Sequence, residues 1–214
     1  MIERPSFVAQ AADTERAITL GVLTAIQGDN KVTQRSVAKG LGIALGLTNA
    51  YLKRCIKKGY IKVSQVPPNR YAYYLTPRGF AEKSRLTAEF LSQSFLFFRE
   101  AREQYAAILA DCARRGWRRV AFCGAGDLAE IATLCNKDTA VAVAAVIPFS
   151  FEESEAPDPG LAEQLRALAA DALIVTDLSH PQQTFDALAG HVPVERILTP
   201  ELLNIARSRP DLAE

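Results

Sequence analysis
The chain has 214 residues, 49% of them hydrophobic and 23% charged, which leaves room for one large domain or two small ones of ordinary globular composition. No apolar run approaches the roughly 20 residues that cross a bilayer, and the first ten residues carry Glu3 and Arg4 where a secretory signal needs an apolar stretch, so the expectation is a cytoplasmic protein without a membrane partner. The net charge of +1 hides an asymmetry: residues 1–85 hold 14 Lys/Arg against 5 Asp/Glu, and residues 86–214 hold 11 against 19. The basic half is a candidate for binding a polyanion, whereas the acidic half is expected to stay away from DNA because like charges repel. The four cysteines, Cys55, Cys112, Cys123 and Cys135, form no C-x-x-C pair, and two histidines supply no zinc-type spacing. They read as buried core thiols and no metal is expected. A redox role for Cys123, beside a glycine motif, is the alternative.

In chain order, apolar residues at helical spacing (Ala17, Ile18, Leu20, Leu23) predict a first helix over residues 14–27, closed by the turn Gly28-Asp29-Asn30. Thr33 caps a short second helix, Gln34 to Leu41, and Gly42 breaks it. A third helix runs from Leu45 to about Lys58 and stops at Gly59. Three short helices with a glycine turn before the third make a helix-turn-helix pattern. Residues 60–66 and 70–75 alternate around Pro67-Pro68-Asn69 and predict a hairpin, the wing of a winged helix. Thr76 with Pro77 starts the next helix, whose composition continues to about Arg115.

Beyond Gly116 the texture changes. Strands are expected at 119–123, 140–147, 172–176 and 196–198, with helices at 127–136, 161–170, 185–189 and 201–206 and a loop at 151–159. Strands alternating with helices predict a parallel α/β sheet. The expected fold class is therefore two-domain α/β: a winged helix over residues 1–86, a helical linker and dimerisation segment over 87–116, and a Rossmann-like domain over 117–214. The aromatic-rich stretch 88–113, with Phe90, Phe95, Phe97, Phe98, Tyr105 and Leu109, is expected to contribute to a homodimer. Packing of those aromatics on the same chain's α/β half is the competing expectation.

Projected at 3.6 residues per turn, Thr48, Leu52 and Cys55 of the third helix point inward, while Asn49, Lys53 and Lys57 share another face with Arg54 beside it. Asparagine pairs with adenine edges, and lysine or arginine reaches guanine edges or phosphates. Arg35 of the second helix and Arg70 after the wing tip complete the candidate contacts to double-stranded DNA. A solvated basic helix in a protein-interaction domain is the plainer alternative.

Leu41-Gly42-Ile43-Ala44-Leu45-Gly46-Leu47-Thr48-Asn49 resembles the turn and recognition-helix start of MarR-type winged helices, most closely the exopolysaccharide-associated regulators. Tyr71 to Gly79 and Glu82 to Thr87 resemble that subgroup's wing end and following helix, so the resemblance covers about residues 14–92. It implies a transcription regulator. Gly124-Ala125-Gly126-Asp127-Leu128-Ala129 fits G-x-G-x-x-G/A between a predicted strand and helix, the setting of a dinucleotide-binding turn. Residues 124–128 are thus the candidate ligand site, with backbone amides offered to a phosphate. Asp127 sits awkwardly with that role, and Val146-Ile147-Pro148-Phe149 lacks the acidic residue that holds an adenosine ribose. The half resembles the Rossmann domain of NADH-sensing Rex-type repressors and the N-terminal domain of bacterial sugar acyltransferases. These imply a dinucleotide or a nucleotide sugar as ligand, the latter being more coherent with an exopolysaccharide-type winged helix. A structural dimerisation domain is the alternative. Asp177, Ser179 and His180 follow the third strand of this half, where α/β enzymes place active-site groups, but they read as a turn and helix cap. His191 reads as a surface loop residue. Without a nucleophile–base set, no catalysis is expected, and an enzyme with a winged-helix appendage is the runner-up.

Overall fold
The computed structural model describes residues 7–66, 70–149, 151 and 161–207. The backbone divides between Ser94 and Phe95 into two compact units. In the first, helices α1 (Phe7–Gly28), α2 (Gln34–Leu41) and α3 (Leu45–Lys57) precede an antiparallel hairpin of β1 (Ile61–Val66) and β2 (Arg70–Leu75). Helix α4 (Pro77–Arg114) follows without a break and contributes to both units. Its 38 residues correspond to the uninterrupted helical composition read from the sequence.

The local chemistry accounts for each boundary. Thr33 accepts from the Ser36 N–H at 3.0 Å while the Ser36 hydroxyl accepts from the Thr33 N–H at 2.9 Å, a reciprocal cap that starts α2. Gly42, in the left-handed region at φ 63°, closes it. Val22, Leu23 and Ile26 of α1 form one buried core with Val37 of α2, Leu52 and Cys55 of α3, Tyr60, Ile61 and Tyr73 of the hairpin segment, and Leu86 of α4. The Tyr73 N–H donates to the Asn30 carbonyl at 3.0 Å and ties the wing to the connection between α1 and α2. At the start of α4 the Thr76 hydroxyl accepts from the Gly79 N–H at 3.0 Å and donates to the Gly59 carbonyl at 2.6 Å. A Cβ on Gly79 would lie 3.0 Å from the Tyr60 carbonyl carbon and closer still to its oxygen. The Leu-Thr-Pro-Arg-Gly run is therefore a packing requirement of the wing-to-helix joint. Helix α1 begins at Phe7, earlier than the periodicity predicted, because the alanine-rich segment before Thr14 favours helix without an apolar stripe.

The second unit continues with β3 (Arg119–Cys123), α5 (Asp127–Cys135), β4 (Ala142–Ile147), α6 (Leu161–Ala167), β5 (Ala172–Val175), α7 (Pro181–Ala189) and β6 (Ile197–Leu198). The sheet is wholly parallel, in the order β4-β3-β5-β6. The chain moves from β3 to one neighbour and then returns across it to β5. Right-handed crossovers accordingly place α5 on one face and α6 and α7 on the other. All of β5 and all but the first residue of β3 are buried, as expected for central strands. Ala101, Tyr105, Leu109 and Cys112 of α4 complete this core, and the Tyr105 hydroxyl donates to the Val175 carbonyl at 2.9 Å.

Three predicted helices differ in extent, for identifiable reasons. Helix α6 ends at Ala167 because Ala169 adopts φ 45° and the carbonyls of Leu168 and Ala170 accept from Arg119 and Arg196. Helix α7 begins at Pro181, four residues before Phe185, because Asp177 holds the turn before it. The expected helix over 201–206 is only a single 3-10 turn, Glu201–Leu203. Its partners are side-chain amides: the Gln104 amide oxygen accepts from the Leu202 N–H at 2.9 Å, and Gln182 both accepts from and donates to the Ala206 backbone, at 2.9 and 3.1 Å. The loop expected at 151–159 lies, apart from Phe151, outside the described residues.

Candidate functional site
In the first unit, Thr48, Leu52 and Cys55 are almost wholly buried, which turns the opposite side of α3 outward. Lys53, Arg54 and Lys57 are exposed, Asn49 is half-buried beside them, and Arg35 is exposed on α2. Arg70 is the first residue of β2, paired with Val66; its side chain lies outside the described residues, as does the wing tip at 67–69. The candidate contacts are not equivalent. Arg54 forms an ion pair with Glu15 of α1 and lies 5.4 Å from the centre of the Tyr51 ring, so it is already oriented by its own chain. Among the described residues, Lys53 and Lys57 have no such partner and are available to phosphates or base edges. Leu45 and Leu47, outside the candidate contacts read from the sequence, are both more than 40% exposed at the start of α3. Apolar side chains there suit the methyl groups of thymine. Their signal in the sequence was an apolar residue off the inward face. Burial pushes the Cys55 thiol up to about 11, so at neutral pH it is a packing group.

In the second unit, the carboxyl ends of β3 and β5 flank the position where the strand order reverses, the usual ligand crevice of doubly wound sheets. The turn Gly124-Ala125-Gly126 lies there, with Asp127 and the buried Leu128 opening α5. The two glycines do different things. A Cβ on Gly124 would come 2.5 Å from the Asp177 Cα and 2.7 Å from its Cβ, and the Thr176 hydroxyl donates to the Gly124 carbonyl at 2.6 Å. Gly124 therefore lets β3 and β5 converge. Gly126, at φ 138°, faces open space. It borders a hollow of about 400 Å³ lined by Ala125, Ala129, Glu130, Thr133, Leu134 and Val146. Asp127 and Glu130 occupy the first turn of α5, where they complement the helix dipole that a phosphate would otherwise use.

Asp177 is fully engaged. One carboxylate oxygen accepts from the Ser179 and His180 N–H groups at 2.8 and 3.1 Å, the other from the Thr184 hydroxyl at 2.7 Å. It is the cap of the turn into α7, the structural role read from the sequence. The exposed His180 ring meets Phe151 edge-on at 5.6 Å. Burial pushes the Cys123 thiol up to about 12, which removes the thiolate that redox chemistry requires.

Residues 15–62 match the family model described as winged helix-turn-helix DNA-binding, so the chain carries such a domain. The sequence matches no curated protein. Among solved structures, the chain is similar to the PcaV transcriptional regulator of Streptomyces coelicolor in complex with its natural ligand, at 24% identity over 45% of this chain and 70% of that one, with a TM-score of 0.36. It is similar to the DNA complex of MepR from S. aureus at 26% identity over 39% of this chain and 60% of that one, TM-score 0.34. A longer alignment, 88% of this chain and 71% of the other, pairs it with PigF with SAH at 12% identity and TM-score 0.24.

The two glycines generate a stability contrast. Gly124→Ala forces two strand ends apart and should cost more than about 3 kcal/mol in urea unfolding, whereas Gly126→Ala meets only backbone strain, on the order of 1–3 kcal/mol. Equal losses would show that the β3–β5 approach is not what Gly124 serves.

Proposed function
We propose that the chain is a DNA-binding transcriptional regulator of the MarR type, with α3 as its reading helix. The observation that carries this is the division of α3: a buried Thr48-Leu52-Cys55 seam fixes the helix, and the free cations Lys53 and Lys57 stand outward in a half that carries an excess of nine positive charges. The ion pair between Arg54 and Glu15 favours a preset guanidinium on that surface.

In the same reading, the regulator works as a homodimer. On α4, Phe90, Leu91, Phe95, Phe97 and Phe98 fall on an arc of roughly 160° at 100° per residue. Phe90 and Phe95 are 58% and 61% exposed. These five side chains leave on the order of 400 Å² of apolar surface uncovered, about half of the ~800 Å² per partner of a standard interface. Tyr105 and Leu109 do not share this role, being buried in the core of their own unit. The interface is thus narrower than the 88–113 stretch read from sequence. A dimer matches DNA half-sites about one helical turn apart.

The second unit, read as Rossmann-like, senses a nucleotide-type ligand, more suitably a nucleotide sugar of polysaccharide metabolism than NAD. The glycine turn at the strand-order reversal favours a ligand there, and the Ile147-Pro148 end of β4 offers no carboxylate to an adenosine ribose. Glu130 beside the open Gly126 is suited to hold sugar hydroxyls. With Asp177 serving as a cap, the reading is of a sensor and not of an enzyme.

Three measurements test these parts separately. Replacing Lys53 and Arg54 with alanine should weaken binding to genomic operator fragments at least tenfold at physiological salt with an unchanged thermal midpoint; equal affinity would remove α3 as the reader. Sedimentation equilibrium at about 10 μM should give a dimer for the unaltered chain and a monomer for a Phe95→Ser, Phe98→Ser variant. A wild-type monomer at that concentration would overturn the dimer. Calorimetric titration should detect a UDP- or GDP-sugar, with binding lost in Gly126→Val. Silence from nucleotide sugars, NADH and NAD at millimolar concentration would leave the second unit a structural domain.

A further inference from the structure
The amino-terminal edge of the parallel sheet carries a concentration of arginine that the net charge of the second half conceals. Arg118 and Arg119 open β3, Arg196 immediately precedes β6, Arg166 lies in the last turn of α6, and Arg114 and Arg115 end α4 on the approach to β3. These are six of the 11 basic residues after position 85. Among the described side chains, Asp111, Asp171 and Glu195 are the acidic ones interspersed with them. Asp127, Glu130, Glu163 and Asp177 all lie at the opposite, carboxyl-terminal end of the strands or at the first turns of the helices that follow. Arginine is thus in excess at one edge, and carboxylates are in excess at the other, where Arg207 bonds to Thr199 after β6.

The arginine edge is organised by the fold. The Asp171 carboxylate accepts from the backbone N–H groups of Arg118 at 2.7 Å and Arg119 at 2.9 Å, which holds it below the usual carboxylate range. The Arg196 guanidinium donates to the carbonyls of Asp171 and Ala170, and Arg119 donates to that of Leu168. Bonds to carbonyls orient these guanidinium groups without neutralising them, and each retains further N–H donors. Arg166 and Arg196 line a hollow of about 250 Å³ together with His191. Compensation of helix C-terminal dipoles accounts for Arg114 and Arg166. It does not account for Arg118 and Arg119 at the start of β3, nor for Arg196, which ends a three-residue 3-10 turn before β6. Among the described residues, the exposed Arg118 and Arg166 side chains bond to no protein acceptor.

We propose that this edge is a second phosphate-contacting surface of the chain, fitted to the backbone of double-stranded DNA. From β3 to β6 the row crosses two strand spacings, roughly 10 Å at about 4.8 Å each, comparable to four successive phosphates of one DNA strand, three steps of ~3.4 Å along the axis. A row of that length exceeds the reach of a single small anion. Arginine is the suitable cation for it, because the planar fork matches phosphate geometry and Lys137 is the only lysine after residue 85. The inference rests on the reading of the chain as a DNA-binding protein. It reverses the expectation that the acidic half avoids DNA.

The test is the salt dependence of full-length protein binding to duplex DNA, measured by fluorescence anisotropy for the unaltered chain, for an Arg118→Gln, Arg166→Gln variant and for a Lys53→Gln, Arg54→Gln variant. Two lost phosphate contacts should lower the slope of log affinity against log salt by about 2, with an unchanged thermal midpoint and a several-fold loss of affinity near 0.1 M salt. An Arg118→Gln, Arg166→Gln variant with the slope and affinity of the unaltered chain overturns the proposal. So does a loss confined to RNA or an acidic polypeptide with duplex binding intact. Failure of the α3 reading has a different signature: the Lys53→Gln, Arg54→Gln variant would bind duplex as the unaltered chain does, whatever happens at the sheet edge.

Discussion

One face of α4 has to be covered wherever it is apolar, and the way that requirement is met along its 38 residues organises the whole chain. At Leu86 the face is buried with the helices and wing of the first unit; at Ala101, Tyr105, Leu109 and Cys112 it is buried under the parallel sheet of the second. At 100° per residue these positions and Phe90, Phe97 and Phe98 fall on overlapping arcs. The stripe is therefore continuous in sequence but covered only at its ends. Polar truncation of the middle would have made a simple linker. Phe90, Leu91, Phe95, Phe97 and Phe98 on and beside it are costly to leave in water, by about 25 cal/mol per Å² of apolar surface. That cost is the physical pressure on which the proposed dimer rests, and it falls on the middle segment of α4.

The same helix shows how far sequence patterns reach. Its start was legible because capping is local: Thr76, Pro77 and Gly79 act on backbone groups a few residues away. Its length was legible because no breaker interrupts it. What could not be read was which aromatics belong to a core, since Phe98 and Tyr105 are seven residues apart, about two helical turns, and share the same face. Only the position of the Val175 carbonyl, 70 residues onward, makes Tyr105 a core residue. The inward seam of α3 was legible for the opposite reason: Thr48, Leu52 and Cys55 lie within two turns, and a period of 3.6 decides the matter.

The glycine turn illustrates a second limit. G-x-G-x-x-A was visible, as was its place between strand and helix, but a motif states which residues are small and not what fills the space. Here the space at Gly124 is filled by the Asp177 backbone, and only Gly126 faces outward. The two positions look alike in sequence because conformational freedom and close approach select the same residue. Asp177 was likewise ambiguous, and three hydrogen bonds settle it as the organiser of the turn into α7. The expected last helix failed on the same kind of long-range competition, since the amides of Gln104 and Gln182 take up backbone groups that a helix would have paired internally.

Charge is where the difference between sum and arrangement has the largest consequence. An excess of eight negative charges after residue 85 describes the sum for that half and not where its arginines gather. In a parallel sheet every strand begins at one edge, so residues just before strands gather there however far apart they are in sequence. Arg118, Arg166 and Arg196 are brought together in this way, as are Asp127 and Asp177 at the other edge. A field built by topology is read at short range: with a screening length of about 8 Å in physiological salt, a phosphate near the arginine edge does not sense carboxylates a strand length away. Local arrangement, then, and not the net charge of a half, sets the field at each edge, and the first unit follows the same rule, its Lys53 and Lys57 exposed on the helix face that the core leaves uncovered.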